Sequence, residues 1–332
     1  MKTVLGIDIG GANLKFADTN RHSLAVEFPL WEHPAELASR LAEAIGHFKR
    51  PDAIAVVMTG ELADCFVDRE QGVKHIVEHA RVAAKQCNVD RCYFYATDHH
   101  FREEIRFHVD ADRLAAANWH ALARFVAVQV CPNGLLVDIG STTTDVIPLH
   151  DGRIATLAMT DFERLCEGSL VYVGCRRTPV CAICESLSFE GKQVPLMNEV
   201  FATIDDARIL LGSQPEAPAD CESADGKPRA ISYAANRIAR TIGLDRRSVS
   251  VQQAIGLAEQ VVASAKRRIA EPITQWAKAH RRIQKTIVLS GHGNDLLSLP
   301  RESQVISLSQ LWGPSLSRCA PAYAVAQLFV ER

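Results

Sequence analysis

Two stretches of the chain carry carboxylates, glycines and hydroxyls in the same order. They are Leu5-Gly6-Ile7-Asp8-Ile9-Gly10-Gly11-Ala12-Asn13-Leu14-Lys15 and Leu136-Val137-Asp138-Ile139-Gly140-Ser141-Thr142-Thr143-Thr144-Asp145. Each runs from an apolar segment into Asp-Ile-Gly and then a turn of small residues. An aspartate near a strand tip can hold Mg²⁺ directly or through water. The glycine after it lets the backbone turn tightly and bring N–H groups to phosphate oxygens. Two such turns face to face would grip a phosphate chain from both sides, with the metal between them. Asp8 and Asp138 are therefore expected to bind Mg²⁺. Gly10, Gly11, Gly140, Ser141, Thr142 and Thr143 are expected to contact the phosphates. Lys15 and Arg177 are expected to neutralise them, Arg177 with bidentate geometry; for Arg177 a surface or inter-domain salt bridge stays open. Asp145 either holds a metal-bound water or fixes the turn.

Elements must position these residues. Thr3 to Ile9 reads as a buried strand, followed by hairpin strands at Phe16 to Asp18 and Leu24 to Phe28. Apolar spacing predicts a helix over Pro34 to Phe48, a strand at Ile54 to Met58 ending in Thr59-Gly60-Glu61, and a helix over Val73 to Cys87. A strand at Cys92 to Ala96 and a helix from Ala115 to Val130 complete a first cycle. A second opens with strands at Gly134 to Ile139 and Val146 to Leu149. Asp151 to Lys192 reads as irregular. Helices are expected around Ala202 to Leu211, Ala230 to Thr241, Val251 to Ala279 and Ala320 to Val330, a surface loop at Gln214 to Pro228, and a strand at Thr286 to Leu289 running into Ser290-Gly291-His292-Gly293. A repeat spaced this widely suits a duplicated domain rather than a solenoid.

With 332 residues, the chain exceeds what one hydrophobic core usually fills, so two domains are expected. Hydrophobic residues at 47% and charged ones at 23% exclude a disordered chain, a collagen and a coiled-coil rod. A net charge of -2 gives no electrostatic case for nucleic acid or an anionic membrane. Asp8 and Lys15 interrupt any signal-peptide core, so a cytoplasmic protein is expected. The 10 cysteines are then expected to be reduced and mostly buried. Cys166, Cys175, Cys181 and Cys184 cluster, but a lone Cys-x-x-Cys lacks the second pair of a structural zinc site, so zinc at Cys175, Cys181 and Cys184 is the weaker reading. Asp98-His99-His100 reads as a loop or strand end, because adjacent strand residues point to opposite faces.

The paired turns and the later glycines resemble the superfamily of actin, the sugar kinases and the heat-shock-seventy ATPases. That resemblance implies an α/β fold with two ribonuclease-H-like domains facing across a cleft. The two turns would be its phosphate motifs, and Gly291 and Gly293 would approach a nucleoside. The implied division is 1–130 for the first domain, 131–310 for the second, and 311–332 for a C-terminal helix returning to the first. Four more stretches narrow the match: Val57 to Phe66, Ala116-Ala117-Asn118-Trp119, Val171 to Pro179, and Asn198 to Thr203. With Val137 to Pro148 they resemble the tetrahydromethanopterin-linked one-carbon transfer pathway family, related to hydantoinase and oxoprolinase A-type subunits. The likeness runs from Gly6 to about Gly293.

That family includes an archaeal transferase that joins an aminomethylfuran diphosphate to the phenol of γ-glutamyltyramine and releases diphosphate. The resemblance implies the same chemistry here, with Mg²⁺ as cofactor and a diphosphate ester and a phenolic acceptor as small-molecule partners. Glu61 and Asp64 would orient the phenol or the aminomethyl cation, or take the phenol proton. Asn118 and Thr59 would contact substrate. No nucleic-acid or membrane partner is expected, and a homo-oligomer stays open. Other readings are an ATP-dependent kinase or ATPase on the same fold, or a non-catalytic nucleotide-binding partner protein. One departure stands out. The family often has Glu where this chain has Ser169, and a lost carboxylate there would alter the substrate if it bound the amine.

Overall fold

A computed structural model describes residues 3–279, 286–299 and 303–332. In the first half, β1 (Val4–Ile9), β2 (Asn13–Asp18) and β3 (Ser23–Glu27) form an antiparallel meander. α1 (Leu37–Ile45), β4 (Ala53–Met58), α2 (Arg69–Gln86), β5 (Cys92–Tyr95), the short β6 (Phe101–Arg102), α3 (Phe107–Leu114) and α4 (Asn118–Gln129) follow. β4 pairs parallel to β1, and β5 parallel to β4. The sheet order is β3-β2-β1-β4-β5-β6.

The second half repeats this plan. β7 (Gly134–Ile139) and β8 (Thr144–His150) pair antiparallel, with β9 (Arg153–Ile154) on the edge of β8. α5 (Asp161–Glu167) leads to β10 (Leu170–Val171), which pairs antiparallel with β8. α6 (Val180–Ile183), the hairpin of β11 (Ser186–Phe189) and β12 (Lys192–Pro195), α7 (Ile204–Leu210), α8 (Ile231–Arg240) and α9 (Val251–Ala279) cover one face. β13 (Thr286–Gly291) pairs parallel to β7, and β14 (Gln304–Ser307) parallel to β13. The order β10-β8-β7-β13-β14 thus matches β3-β2-β1-β4-β5 strand for strand. This is the ribonuclease-H-like order expected from the sequence, present twice.

α10 (Leu308–Trp312), α11 (Pro314–Arg318) and α12 (Ala320–Val330) close the chain. α12 packs on β1, β2, β4 and α4. α4 and α12 lie between the sheets, in a core that draws Val4 and Ala55 from the first sheet and Leu136 and Val288 from the second. α1 and α2 cover the outer face of the first sheet, and α7 and α9 that of the second. Both sheets are covered on both faces, which is why β1, β4 and β13 read as continuous apolar runs without alternation.

Several elements differ from expectation. The helix expected from Ala115 starts only at Asn118, because Ala116 sits at φ +47, where helix cannot continue. α3, β6, β14, α10 and α11 had no expected counterpart. The stretch 151–192 holds β9, α5, β10, α6 and β11. Two of those strands have two residues each, too short for a periodic signal, while α5 carries a capping box between Thr160 and Glu163. Gln214 to Pro228 contains neither helix nor strand, but it is tied down. Arg176 and Arg229 grip Asp220, and Arg237 and Arg240 grip Asp225.

Candidate active-site cleft

The two turns sit at the ends of β1 and β7 and are braced alike. Gly10 N–H donates to the Asn13 carbonyl at 3.0 Å, and Gly140 N–H to that of Thr143 at 2.9 Å. Behind the first turn, Thr59 and Gly60 N–H donate to Ile9 O, and Leu30 N–H to Gly11 O. Behind the second, His292 N–H donates to Ile139 O, Cys175 N–H to Gly140 O, and Arg176 and Arg177 N–H to Ser141 O. The turn carbonyls are thus engaged. The N–H groups of Gly11, Ala12, Ser141 and Thr142 have no backbone partner among the described residues. A Cβ on Gly11 would meet nothing within 4 Å, so the space before it is open. Gly174 lets its segment press on the second turn: a Cβ there would lie 2.5 Å from Thr142 N.

Both turns border one cleft of about 660 Å³. Asp8, Gly10, Gly11, Lys15, Thr59, Glu61, Asp64 and Asn118 line it from the first half. Asp138, Gly140, Ser141, Thr142, Thr143, Asp145 and Arg177 line it from the second. Lys15 Nζ stands 3.7 Å from Asp8 Oδ2, while Asp8 Oδ1 is buried with no hydrogen-bond partner among the described residues. Burial raises the Asp8 carboxyl above its usual range against the pull of Lys15. Burial, with the Asp145 charge adding to it, pushes Asp138 up to about 6. Two carboxylates from opposite halves, one buried with an orphaned oxygen and the other half-buried, suit a hard cation with oxygen ligands. Among the described residues no three His, Cys, Asp or Glu side chains form a metal cage.

The wall beyond the turns holds residues the sequence did not single out. Arg164 of α5 is buried and pairs with both Asp145 and Asp161, and its guanidinium lies 4.1 Å over the ring of Trp119. Asp145 is therefore held by Arg164. Arg177 makes no ion pair among the described residues and stacks 4.6 Å over Trp31. Each stack joins an arginine of the second half to a tryptophan of the first, worth about 0.5–2 kcal/mol depending on desolvation. The cross-half ion pair belongs to the neighbour: Arg176 reaches Glu27 at 3.1 Å. Asn118 Oδ1 accepts the Trp119 N–H at 2.7 Å at the start of α4. Leu62 and Tyr172 line the cleft from opposite halves while 55% and 62% exposed, offering apolar faces. The Thr160 to Glu163 capping box was the available signal for α5, and so for Asp161 and Arg164.

Glu61 and Asp64 part company. Asp64 is exposed. Glu61 is 1% exposed, and its Oε2 has no hydrogen-bond partner among the described residues. Burial pushes its carboxyl up to about 7, with the charge of Asp161 adding and that of Arg69 opposing.

Three sets of residues singled out in the sequence lie elsewhere. Gly291 and Gly293 do not line this cleft. A Cβ on Gly291 would fall 2.1 Å from Ile139 O, and one on Gly293 2.3 Å from Ile139 Cγ2, so close packing of the β13 end on β7 accounts for both. Cys175 and Cys184 are buried thiols, Cys175 pushed up to about 11 by burial, and neither they nor Cys181 border the cleft. Ser169 is buried and donates to Glu167 at 3.0 Å, so the departure there lies outside the cleft lining.

The hydantoinase/oxoprolinase family profile matches residues 52–332. The chain is 32% identical, over 99% of its length and 98% of the other protein, to (4-{4-[2-(gamma-L-glutamylamino)ethyl]phenoxymethyl}furan-2-yl)methanamine synthase of Methanocaldococcus jannaschii. It is 30% identical to the synthase of that name from Methanococcus vannielii, over 62% of this chain and 95% of that one. Among solved structures, nucleotide-free acetone carboxylase shares its fold, with a TM-score of 0.52 at 11% identity over 98% of this chain and 70% of that one.

Proposed function

Because the chain belongs to the hydantoinase/oxoprolinase family, alongside the methanofuran-biosynthesis synthases, we propose that it is a diphosphate-releasing transferase. It joins an aminomethylfuranylmethyl diphosphate to the phenol of γ-glutamyltyramine or a related tyramine derivative. The observation that carries this reading is identity along the full length to a synthase whose named product contains that aryl ether.

The bond from the furan CH₂ to the diphosphate oxygen breaks, and the diphosphate leaves with the electron pair. The phenol oxygen bonds to the CH₂, and its proton passes to the departing diphosphate. The furan oxygen stabilises positive charge on the CH₂, so bond breaking runs ahead of bond making. The free N–H groups of Gly11, Ala12, Ser141 and Thr142, together with Lys15 and Arg177, stabilise charge gathering on the leaving group. Asp8 and Asp138 would hold Mg²⁺. When bound, the metal neutralises charge on the diphosphate oxygens. Trp31, Leu62 and Tyr172 flank the rings and place the phenol for attack.

Purified protein with Mg²⁺ tests this. Diphosphate release that requires both the furanylmethyl diphosphate and the tyramine derivative supports the transferase. ATP hydrolysis or phosphoryl transfer without them would replace it with a kinase or ATPase. Saturable nucleotide binding without turnover would point to a non-catalytic partner protein.

A further inference from the structure

We propose that Glu61 and Asp161 form a subsite for an ammonium group on the diphosphate-bearing substrate, so that this pair selects the aminomethyl donor; the donor's identity rests on the transferase reading above.

Glu61 is anchored by its backbone. Gly72 of α2 packs so tightly on it that a Cβ there would fall 2.0 Å from Glu61 O. The fold therefore buries a carboxylate at a fixed place on the cleft wall and leaves Oε2 without a partner. A buried polar group without a partner is costly, and its partner can arrive with a ligand. Asp161, at the start of α5, borders the same cleft from the other half. The local charges do not balance. On this wall Glu61, Asp145 and Asp161 are carboxylates; Arg164 is the cation paired with the two aspartates, while the ion pair of Arg69 is to the exposed Asp112.

The missing charge is positive, and its place argues for an ammonium rather than a reacting group. The charges acting most strongly on Glu61 are those of Asp161 and Arg69. Glu61 pairs with neither Lys15 nor Arg177 among the described residues, so its free oxygen is not committed to the cations assigned to the diphosphate. A primary ammonium supplies three donors without directional demands, which fits two carboxylates meeting across a cleft.

Two measurements test the pair. The first is equilibrium binding at pH 8 without Mg²⁺, using furfurylamine and its uncharged counterpart 2-methylfuran. Wild type should bind the amine at least ~10-fold more tightly, and Glu61→Gln should lose that preference, Asp161→Asn part of it. Equal binding of the two furans by wild type, or an intact preference in Glu61→Gln, would overturn the subsite. The second is the ratio of kcat/KM for donors bearing aminomethyl and methyl groups. Loss of one partner of a buried charge pair should shrink that ratio at least ~30-fold in Glu61→Gln. A fall of both donors together, with the ratio unchanged, would mean that Glu61 serves the reacting bond and would refute the proposal. If neither donor releases diphosphate while furfurylamine is still preferred, the transferase reading fails and the ammonium subsite stands.

Discussion

A carboxylate buried with one oxygen unpartnered destabilises the empty protein, and Glu61 makes that cost measurable. Its folded-state value of about 7 lies above the ordinary glutamate value of 4.5. A carboxyl raised on folding lends full stability only below its unfolded value, and that stability is lost as pH rises through the folded one. Glu61→Gln should therefore unfold at a higher temperature than wild type, with a gap that opens between pH 4.5 and 7 and stays flat above. The shift corresponds to on the order of 3 kcal/mol. Parallel melting curves from pH 4 to 8.5 check it, and a gap that shrinks as pH rises would refute it. Gly11 gives the opposite kind of test. Neither left-handed backbone nor packing requires a glycine there. Gly11→Ala should fold with unchanged stability yet raise KM for the diphosphate donor at least ~10-fold; unchanged kinetics would show that no ligand approaches it. Asp8, Asp138 and the turn glycines were legible because tight turns leave a local signature. Asp161 and Arg164 were missed: the Thr160 to Glu163 box marks where α5 begins, but no local pattern records the Arg164–Asp145 ion pair that ties α5 to β8 at the cleft.

At the scale of elements, the site depends on a helix from the far end of the chain. α12 lies on β1 because Gly6 has no side chain: a Cβ there would fall 1.8 Å from the Ala322 carbonyl. Pro321, in the first turn of α12, borders the same cleft as Asp8. Gly6→Ala must push the helix off the strand. It should cost about 1–3 kcal/mol by overpacking, and it should also lower kcat through displacement of the cleft wall. Thermal unfolding and turnover on the same preparation check both, and a stable, fully active variant would show that α12 does not set the cleft. The sequence reading found β1, β4, β7 and β13, since strands covered on both faces are unbroken apolar runs. It missed β10 although the second turn leans on the chain that follows it. Two residues carry no period, and β10 is a strand only because β8 offers it an edge.

Over the whole molecule, the two sheets share strand order, turn and brace, yet their cleft walls differ. Behind the first turn the chain after β4 delivers Glu61 into the cleft. Behind the second, the equivalent chain after β13 delivers Gly291 and Gly293 into packing against Ile139. The fold is symmetric and the site is not, which is why a sequence repeat reveals the architecture and the phosphate end but not the far wall. A ligand gripped by both turns would tie the halves together. Among the described residues of the protein itself, Arg176 to Glu27, the two arginine–tryptophan stacks and the shared helical layer do so. Mg²⁺ with diphosphate should then stabilise the protein by about 2.7 kcal/mol at a hundredfold excess over Kd and so raise its unfolding temperature. Asp138→Asn removes a half-buried charge whose carboxyl sits at about 6, so the variant alone should be at least as stable as wild type at pH 7.5. It should nevertheless lose the stabilisation by Mg²⁺ and diphosphate and lose turnover, and Asp8→Asn should behave alike. Calorimetry with and without Mg²⁺, beside diphosphate release, decides this. Full turnover by either variant at limiting Mg²⁺ would remove the metal from that carboxylate. Stabilisation by diphosphate that survives in both variants would mean that it does not bridge the two turns.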